Sequence, residues 1–479
     1  MSKRRALAYN KIKAAVTRHY VRNEKWGKRV IKAKQIILLC AGLCITGMSA
    51  FAETINLEQA RTLALANSRS LARYNLSIRS SELNEKSHLY TMLPEVSAGY
   101  SASMRYMNSD WKFANPVDTL NTGASISITQ KIFEGGKSFI QKSINEIATE
   151  SIRKGALAEY FNVIDSADNA YYAVLEAAAN LEAAESSLQT AVSSLEIAEI
   201  RQISGMINQG DYLKAMADKE TRENARNQAR RAVSQAMTEF RRLTGLAESV
   251  ELEQIDFSSY DNLIHSLAEI TDDKAAALYE HFWEILVREN PSLAQSALSN
   301  QQAEKTLSLT RRDYVPTISA TLFSTSLNYS IADGFSATPN GAISLTGTIP
   351  LDFWVLNNQL EKSKITREQA AMSYIDAETE LETSLQTALL NAFSQAGSVL
   401  SSRRSLEYAG KHFEYVMERY RLSQSSVSDL GEASSLLINS RNSLIGASYG
   451  FLQSLSRLRS LGAIDEEEKL TQIISEILM

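Results

Sequence analysis

From Lys137 to Ser204 the chain contains no proline and a single glycine, Gly155. Unbroken helix over that stretch is roughly 100 Å long at about 1.5 Å per residue, more than a compact domain can hold. A second run of the same character, roughly Leu356–Leu422, follows in the C-terminal half. The surfaces are rich in Ala and Ser, as in "NLEAAESSLQTAVSSLEIAE", which permits close helix packing but gives no Leu-rich globular core. Such a run reads as a solvated coiled coil or as one wall of a hollow helical cylinder.

The two runs are parts of a repeated half. "LPEVSA" (Leu93–Ala98) returns as "VPTISA" (Val315–Ala320), 222 residues on, and "SLARYNLSIRSSELNEK" returns at the same offset as "SLAQSALSNQQAEKTLS". "QKIFEGG" (Gln130–Gly136) answers "IPLDFWV" (Ile349–Val355). The breaks "GMINQGDYLKA" (Gly205–Ala215) and "SQSSVSDLGEA" (Ser423–Ala433) lie 218 apart. Four landmarks in one order at nearly constant spacing are an internal duplication. Each break leads into a shorter helix, about 211–244 and 429–461, so one long helix can lie beside two short ones stacked end to end.

Between the helices the period changes from helical to alternating. Residues 57–92 read as one helix that stops before Pro94, because the residue preceding proline is pushed out of the α region. Val96, Ala98, Tyr100, Ala102, Met104 and Tyr106 then face one way, with Ser97, Gly99, Ser101, Ser103 and Arg105 opposite. A second strand places Ile126, Ile128 and Ile132 on one face. Thr317–Ser330 and Gly341–Leu351 are the matching pair, with the apolar face switching near Leu322–Phe323 as if at a bulge. Each strand has about the 9–11 residues needed to cross an outer membrane at a tilt. Four strands cannot close a barrel, and open edges cannot stand in hydrocarbon. The chain must therefore pool strands with copies of itself: two copies give a plugged eight-stranded barrel, three give twelve strands and an open lumen.

Residues 1–34 carry twelve Lys or Arg against one acid, Glu24, ahead of the apolar run "QIILLCAGLCITGM" and a small-x-small site at Ala50–Phe51–Ala52. That is the pattern of a secretory signal peptide, cleaved after Ala52. Without it, 38 of the 50 bases and 54 of the 55 acids remain, a net charge near −16. Such a balance argues against a nucleic-acid partner. Cys40 and Cys44 leave with the signal, so no disulfide or thiol chemistry is expected afterwards. No enzyme is indicated. "SIRK" (Ser151–Lys154) lacks the companion motifs of the penicillin-recognising enzymes and sits mid-helix. His88, His265, His281 and His412 fall in no metal-ligand spacing, and no Gly-rich phosphate loop is present, so no cofactor is expected.

The duplicated order helix, "LPxxS", strand, loop, strand, "IFEGG", together with "RYRLSQSSVSDLGEA" and its earlier counterpart, resembles the TolC family of outer-membrane efflux proteins over residues 54–463. The resemblance implies an α+β membrane protein: a homotrimer with a twelve-stranded β-barrel, four strands per chain, continued by a long α-helical barrel that crosses the periplasm. The corresponding division is a signal peptide at 1–52, repeats at 53–245 and 276–463, a linker at 246–275 packed as a belt, and an acidic tail at 464–479. The loops around Trp111 and Phe335 would be extracellular and the helix breaks periplasmic.

The function this implies is the exit duct of a tripartite efflux or type I secretion system in the outer membrane. It would meet a periplasmic adaptor protein and an inner-membrane pump. From the residues alone, Asn208-x-x-Asp211 and Ser426-x-x-Asp429 fit helix N-termini, with a capping residue and an acid near the positive dipole end. The resemblance adds a gate at these tips. Asp429 and Glu432 would form constricting rings, and Tyr420 would hydrogen-bond Asp211. Ser425 stands where an arginine would reinforce the latch. Gly205, Asn208, Ser423 and Ser426 would mark the adaptor-contacting tips, and the turn with Gly205 and Gly210 should be the tighter one. A structural or adhesive coiled-coil protein anchored by its strands is the alternative reading.

Overall fold

The computed structural model describes residues 54–103, 121–246, 250–330, 334–336, 340–465 and 467–478. The expected signal peptide and the loop around Trp111 lie outside them. Two short strands, β1 (Thr54–Ile55) and β4 (Glu251–Leu252), form a parallel ladder within a small unit of their own. All other elements belong to the larger unit, Leu57–Ala247 and Gln254–Met479.

The first half runs α1 (Leu57–Asn67), α2 (Arg69–Tyr90), β2 (Glu95–Ser103), β3 (Asn121–Phe133), α3 (Lys137–Ile203) and α4 (Gln209–Thr244). The single helix expected over 57–92 is two, divided at Ser68. That residue is extended (φ −66°, ψ 111°) and its hydroxyl caps α2 by accepting from the Leu71 N–H. A serine offers the backbone a local alternative to the helical ladder, and here that alternative prevails.

The second half is entered through α5 (Asp261–Ala268) and α6 (Asp272–Glu289). There follow α7 (Pro291–Arg311), β5 (Thr317–Ser330), β6 (Gly334–Ser336), β7 (Asn340–Thr348), α8 (Phe353–Arg421), α9 (Val427–Leu461) and α10 (Glu467–Leu478). Helix α7 starts where Asn290 accepts from the Leu293 N–H at 2.9 Å and Pro291, which lacks a donor, takes the first position. The boundary expected at residue 275 falls inside α6. The acidic tail forms α10, with Leu470 and Ile474 buried and the helix packed on α5 and α6.

Each long helix lies against two short ones, α3 against α2 and α4, and α8 against α7 and α9. The halves interlock because α3 also packs on α7 and α9. Gly155 marks a close approach: a Cβ there would meet Gln295 Nε2 at 3.0 Å and Tyr74 Cε1 at 3.1 Å. Toward its C-terminal end the buried face of α3 is small, with Ala183, Ser187, Ala191 and Ala198 in its core. Larger groups concentrate where Tyr171 meets Tyr172 and Phe240 edge-on, ring centroids 6.3 and 6.2 Å apart.

The sheet order is β2–β3–β5–β7, antiparallel throughout, with β6 pairing the far end of β5. Val96, Ile128, Leu322 and Ile343 stand opposite one another in a single row across four strands. All four are exposed, so one face of the sheet presents an apolar band. On the other face Ser97 meets Ser127 at 2.7 Å and Thr129 meets Thr321 at 3.2 Å between hydroxyl oxygens.

No bulge occurs at Leu322–Phe323, where the register with Ile128 and Ser127 is regular. Phe323 simply stands in the hydroxyl-bearing row. The register instead skips Ser326 on β5 and Ile132 on β3, so Phe133 rather than Ile132 stands opposite Ile318. Strands β2 and β7 have one neighbour each, which leaves two backbone edges unpaired among the described residues.

Candidate functional site: the paired helix tips

Both long helices end in the same turn. In α3 the Gly205 N–H bonds the Gln202 carbonyl at 3.0 Å and the Met206 N–H bonds the Arg201 carbonyl at 2.8 Å. In α8 the Ser423 N–H bonds the Tyr420 carbonyl at 3.0 Å and the Gln424 N–H bonds the Arg419 carbonyl at 2.7 Å. This is the Schellman pattern, which needs a left-handed residue after the helix. Gly205 takes φ 70° and Ser423 takes φ 61°. The expected difference in tightness is absent, because the serine accepts the left-handed conformation and its strain. That strain is about 1–2 kcal/mol for a residue with a Cβ.

Ser423→Gly is therefore expected to stabilise the protein by about 1 kcal/mol, and Gly205→Ala to destabilise it by a similar amount. A Cβ at Gly205 meets nothing within 4 Å, so the second effect comes from the backbone alone. Urea melts in detergent would measure both. Equal loss from the two substitutions would refute the account.

After each turn a capping residue restarts the helix. Asn208 accepts from the Asp211 N–H at 2.9 Å and opens α4. Ser426 accepts from the Asp429 N–H at 3.1 Å, and the Asp429 carboxylate accepts in return from the Ser426 N–H at 2.9 Å, a capping box that opens α9. The Ser425 hydroxyl donates to the same carboxylate at 3.0 Å. The backbone N–H of Ser426 first, then the Ser425 and Ser426 hydroxyls, hold the Asp429 carboxyl below the usual range. Asp429 and Glu432 are both exposed and three residues apart, so they share a face of α9.

Behind the acids, Val416, Tyr420, Leu430 and Ala433 form a small apolar core, covered by Ile197 of α3 and Phe413, Met417 and Val427. Lys214 of α4 bonds Ser428 of α9, and Arg222 bonds Ser435 at 2.8 Å. The two tips are thus one assembly drawn from both halves.

The expected bond between Tyr420 and Asp211 is not formed. The Tyr420 hydroxyl donates to the Ser194 carbonyl at a long 3.4 Å, because the ring lies inward against α3. Burial pushes the phenol's pKa up, Arg201 opposes that, and the charge of Asp211 adds to it. A residue that pattern reading passed over does join the halves here: Arg201, 7 % exposed, donates to the Tyr420 carbonyl and stacks 4.3 Å over the Tyr420 ring. Its signal was available, since Arg201 and Arg419 recur at the same 218-residue offset as the two aspartates.

A second polar cluster, also unanticipated, lies deep in the helical packing. Asp168 of α3 is fully buried and accepts from Arg61 Nε at 2.6 Å and Arg61 Nη2 at 3.0 Å, from Ser456 at 2.8 Å, and from Arg459. It ties α1, α3 and α9 together. Ser456 also lies 3.0 Å from Asp165, whose carboxyl pKa is raised mainly by burial. The sequence signal is an acid at a core step, between Ile164 and Tyr171 on the buried face of α3.

An apolar-banded sheet with open edges, joined to paired helices of this length, is the build of a membrane-anchored helical protein. The sequence matches the profile of the family described as outer membrane efflux protein over residues 60–246 and 284–463, and the chain belongs to that family. It is 21 % identical over 474 residues to the outer membrane protein TolC of Escherichia coli K12, covering 91 % of this chain and 88 % of that protein. In structure it is similar to CusC, with a TM-score of 0.73 at 15 % identity, covering 88 % of this chain and 95 % of that one. It is also similar to the outer-membrane channel CmeC of Campylobacter jejuni, with a TM-score of 0.70 at 14 % identity, covering 91 % and 94 %. Family membership makes this an outer-membrane efflux channel and sets aside the adhesive coiled coil.

Proposed function

We propose that three copies form the exit duct of a tripartite efflux or type I secretion system, with a twelve-stranded barrel and a periplasmic helical tunnel closed at the tips. The observation that carries this reading is the four-stranded sheet with an apolar band and two open edges, β2 and β7. In hydrocarbon each unpaired backbone group costs several kcal/mol, so the edges require strands from other copies. The division into repeats at 53–245 and 276–463 is supported by the shared turn geometry at Gly205 and Ser423.

Two exposed stripes on the helices support the same assembly. On α8, Ile365, Met372, Leu390, Tyr408 and Tyr415, continued by Leu422 at its C-cap, recur at steps of seven or eighteen and lie along one line. On α2, Leu76, Leu83 and Tyr90 repeat at seven. A seven-residue apolar repeat is the seam of a supercoiled helix pair, and these seams are unoccupied within one chain.

The tips carry the gate and the docking surface. Asp429 and Glu432 of three copies form the constriction, while Gly205, Asn208, Ser423 and Ser426 meet a periplasmic adaptor that connects to an inner-membrane pump. Detergent-purified protein is expected to have a mass near three chains and to form pores in planar bilayers. A stable folded monomer that makes no pores would sink the proposal.

A further inference from the structure

We infer that Arg201 is the positioning residue that holds the tip closed, pinning the first half of the chain to the second through the end of α8. The inference rests on the tip being the gate. Among the described residues Arg201 bonds no carboxylate: it donates to the Tyr420 carbonyl and stacks 4.3 Å from the Tyr420 ring. That carbonyl already accepts the Ser423 N–H at 3.0 Å, so it belongs to the turn that terminates α8. The carbonyl of Arg201 itself closes the turn that terminates α3, through the Met206 N–H at 2.8 Å. One residue therefore completes the ends of both long helices, its carbonyl in one and its side chain in the other. Its positive charge lies where both helix dipoles are negative. The ring contact adds a shielded cation–π attraction to a charge-assisted hydrogen bond.

The repeat supplies an internal comparison. Arg419 occupies the same step of the second half, yet it is exposed and donates to Gln424 of its own turn at 2.9 Å. It stacks more loosely, 5.7 Å from the Tyr415 ring on its own helix. Among the described residues Arg419 makes no bond across the halves. Any opening that separates α8 from α3 at the tip must lift the Arg201 guanidinium off a ring and a carbonyl, while Arg419 travels with its own helix.

The test is basal conductance of the full assembled channel in planar bilayers, comparing Arg201→Met, Arg201→Lys and Arg419→Met with wild type. Arg201→Met, which keeps the packing volume, is expected to raise basal conductance about tenfold. Arg201→Lys, which keeps charge but lacks the planar group, should fall between. Arg419→Met should conduct as wild type, although it removes the same charge from the same tip. Block by a trivalent cation should persist in every variant, since Asp429 and Glu432 are untouched. An unchanged Arg201→Met, or an equal rise in Arg419→Met, overturns the inference. If Arg201→Met fails to assemble, Arg201→Lys decides: conductance above wild type supports the pin, and wild-type conductance overturns it. A wild-type protein with no pore activity removes the gate and the inference together. A gated wild type with a silent Arg201→Met removes the inference alone.

Discussion

Asp168→Ala is expected to lower the stability of the chain by about 3–5 kcal/mol, the usual cost of removing one partner from a buried ion pair. Asp168 is the carboxylate that both Arg61 and Arg459 bond, and all three are at most 6 % exposed. Without it the guanidinium groups of Arg61 and Arg459 remain in the packing of α1, α3 and α9, Arg61 keeping its bond to Glu58. The effect reaches beyond the pair, because α1 loses a tie to α3. Replacing all three residues by apolar ones of similar volume should recover most of the loss, since the desolvation penalty goes with the charges.

The neighbouring acid behaves in the opposite sense. Burial raises the Asp165 carboxyl above its unfolded value, so the folded chain holds its proton to higher pH. Stability from this group is present at low pH and falls as pH rises from the unfolded value, about 3.9, through the raised folded one. Asp165→Asn should therefore raise the melting temperature at pH 7 and change little below about pH 4. Denaturation in detergent at the two pH values reads both effects. A wild-type melting temperature for Asp168→Ala would show that the two arginines are satisfied elsewhere.

The other large effect is at the constriction. In the proposed trimer Asp429 and Glu432 would bring six carboxylates around one axis, and such a ring favours a bound multivalent cation. Asp429→Asn with Glu432→Gln is expected to abolish block by a trivalent cation and remove cation selectivity. The closed state should survive, because asparagine can still accept the Ser426 N–H that Asp429 accepts now. The halves also remain joined through Arg201 and the apolar core around Tyr420. Retention of wild-type block by the double variant would reduce the two acids to helix caps and surface charge.

Much of this architecture is legible because its signals are periodic and repeated. The two long helices, the bounds of β5, and the cap residues Asn208 and Ser426 follow from absence of proline, alternation and spacing. What escapes the pattern is set by single residues in three-dimensional context. Ser68 divides a run whose helical propensity is unbroken, because a hydroxyl competes for one N–H. The extra residues at Ser326 and Ile132 shift register without altering composition. Residue 275 lies three residues inside α6, whose acidic first turn, Asp272 and Asp273, precedes it and whose buried Leu278, Phe282 and Leu286 all follow it. At the tip, spacing identifies which residues meet but not which bond forms. Tyr420 turns its ring toward α3, its hydroxyl donates to the Ser194 carbonyl, and Arg201 holds its carbonyl and ring.

The strand order has a consequence for how such a chain assembles. Pairing of β3 with β5 welds the two repeats, so every seam from β2 to β7 forms at the effective concentration of a single polypeptide. In the proposed assembly the remaining seam, β7 against β2 of the next copy, would join two different surfaces, and contacts of that kind either close as a ring or run on as a filament. Ring closure is then a matter of angle: in a trimer each copy would turn the sheet by one third of a circle. The right-handed twist of the strands and the two skipped residues, which bend a sheet locally, are the elements of the chain that set that angle. A deletion of Ser326 would leave the tip untouched and act on that angle alone.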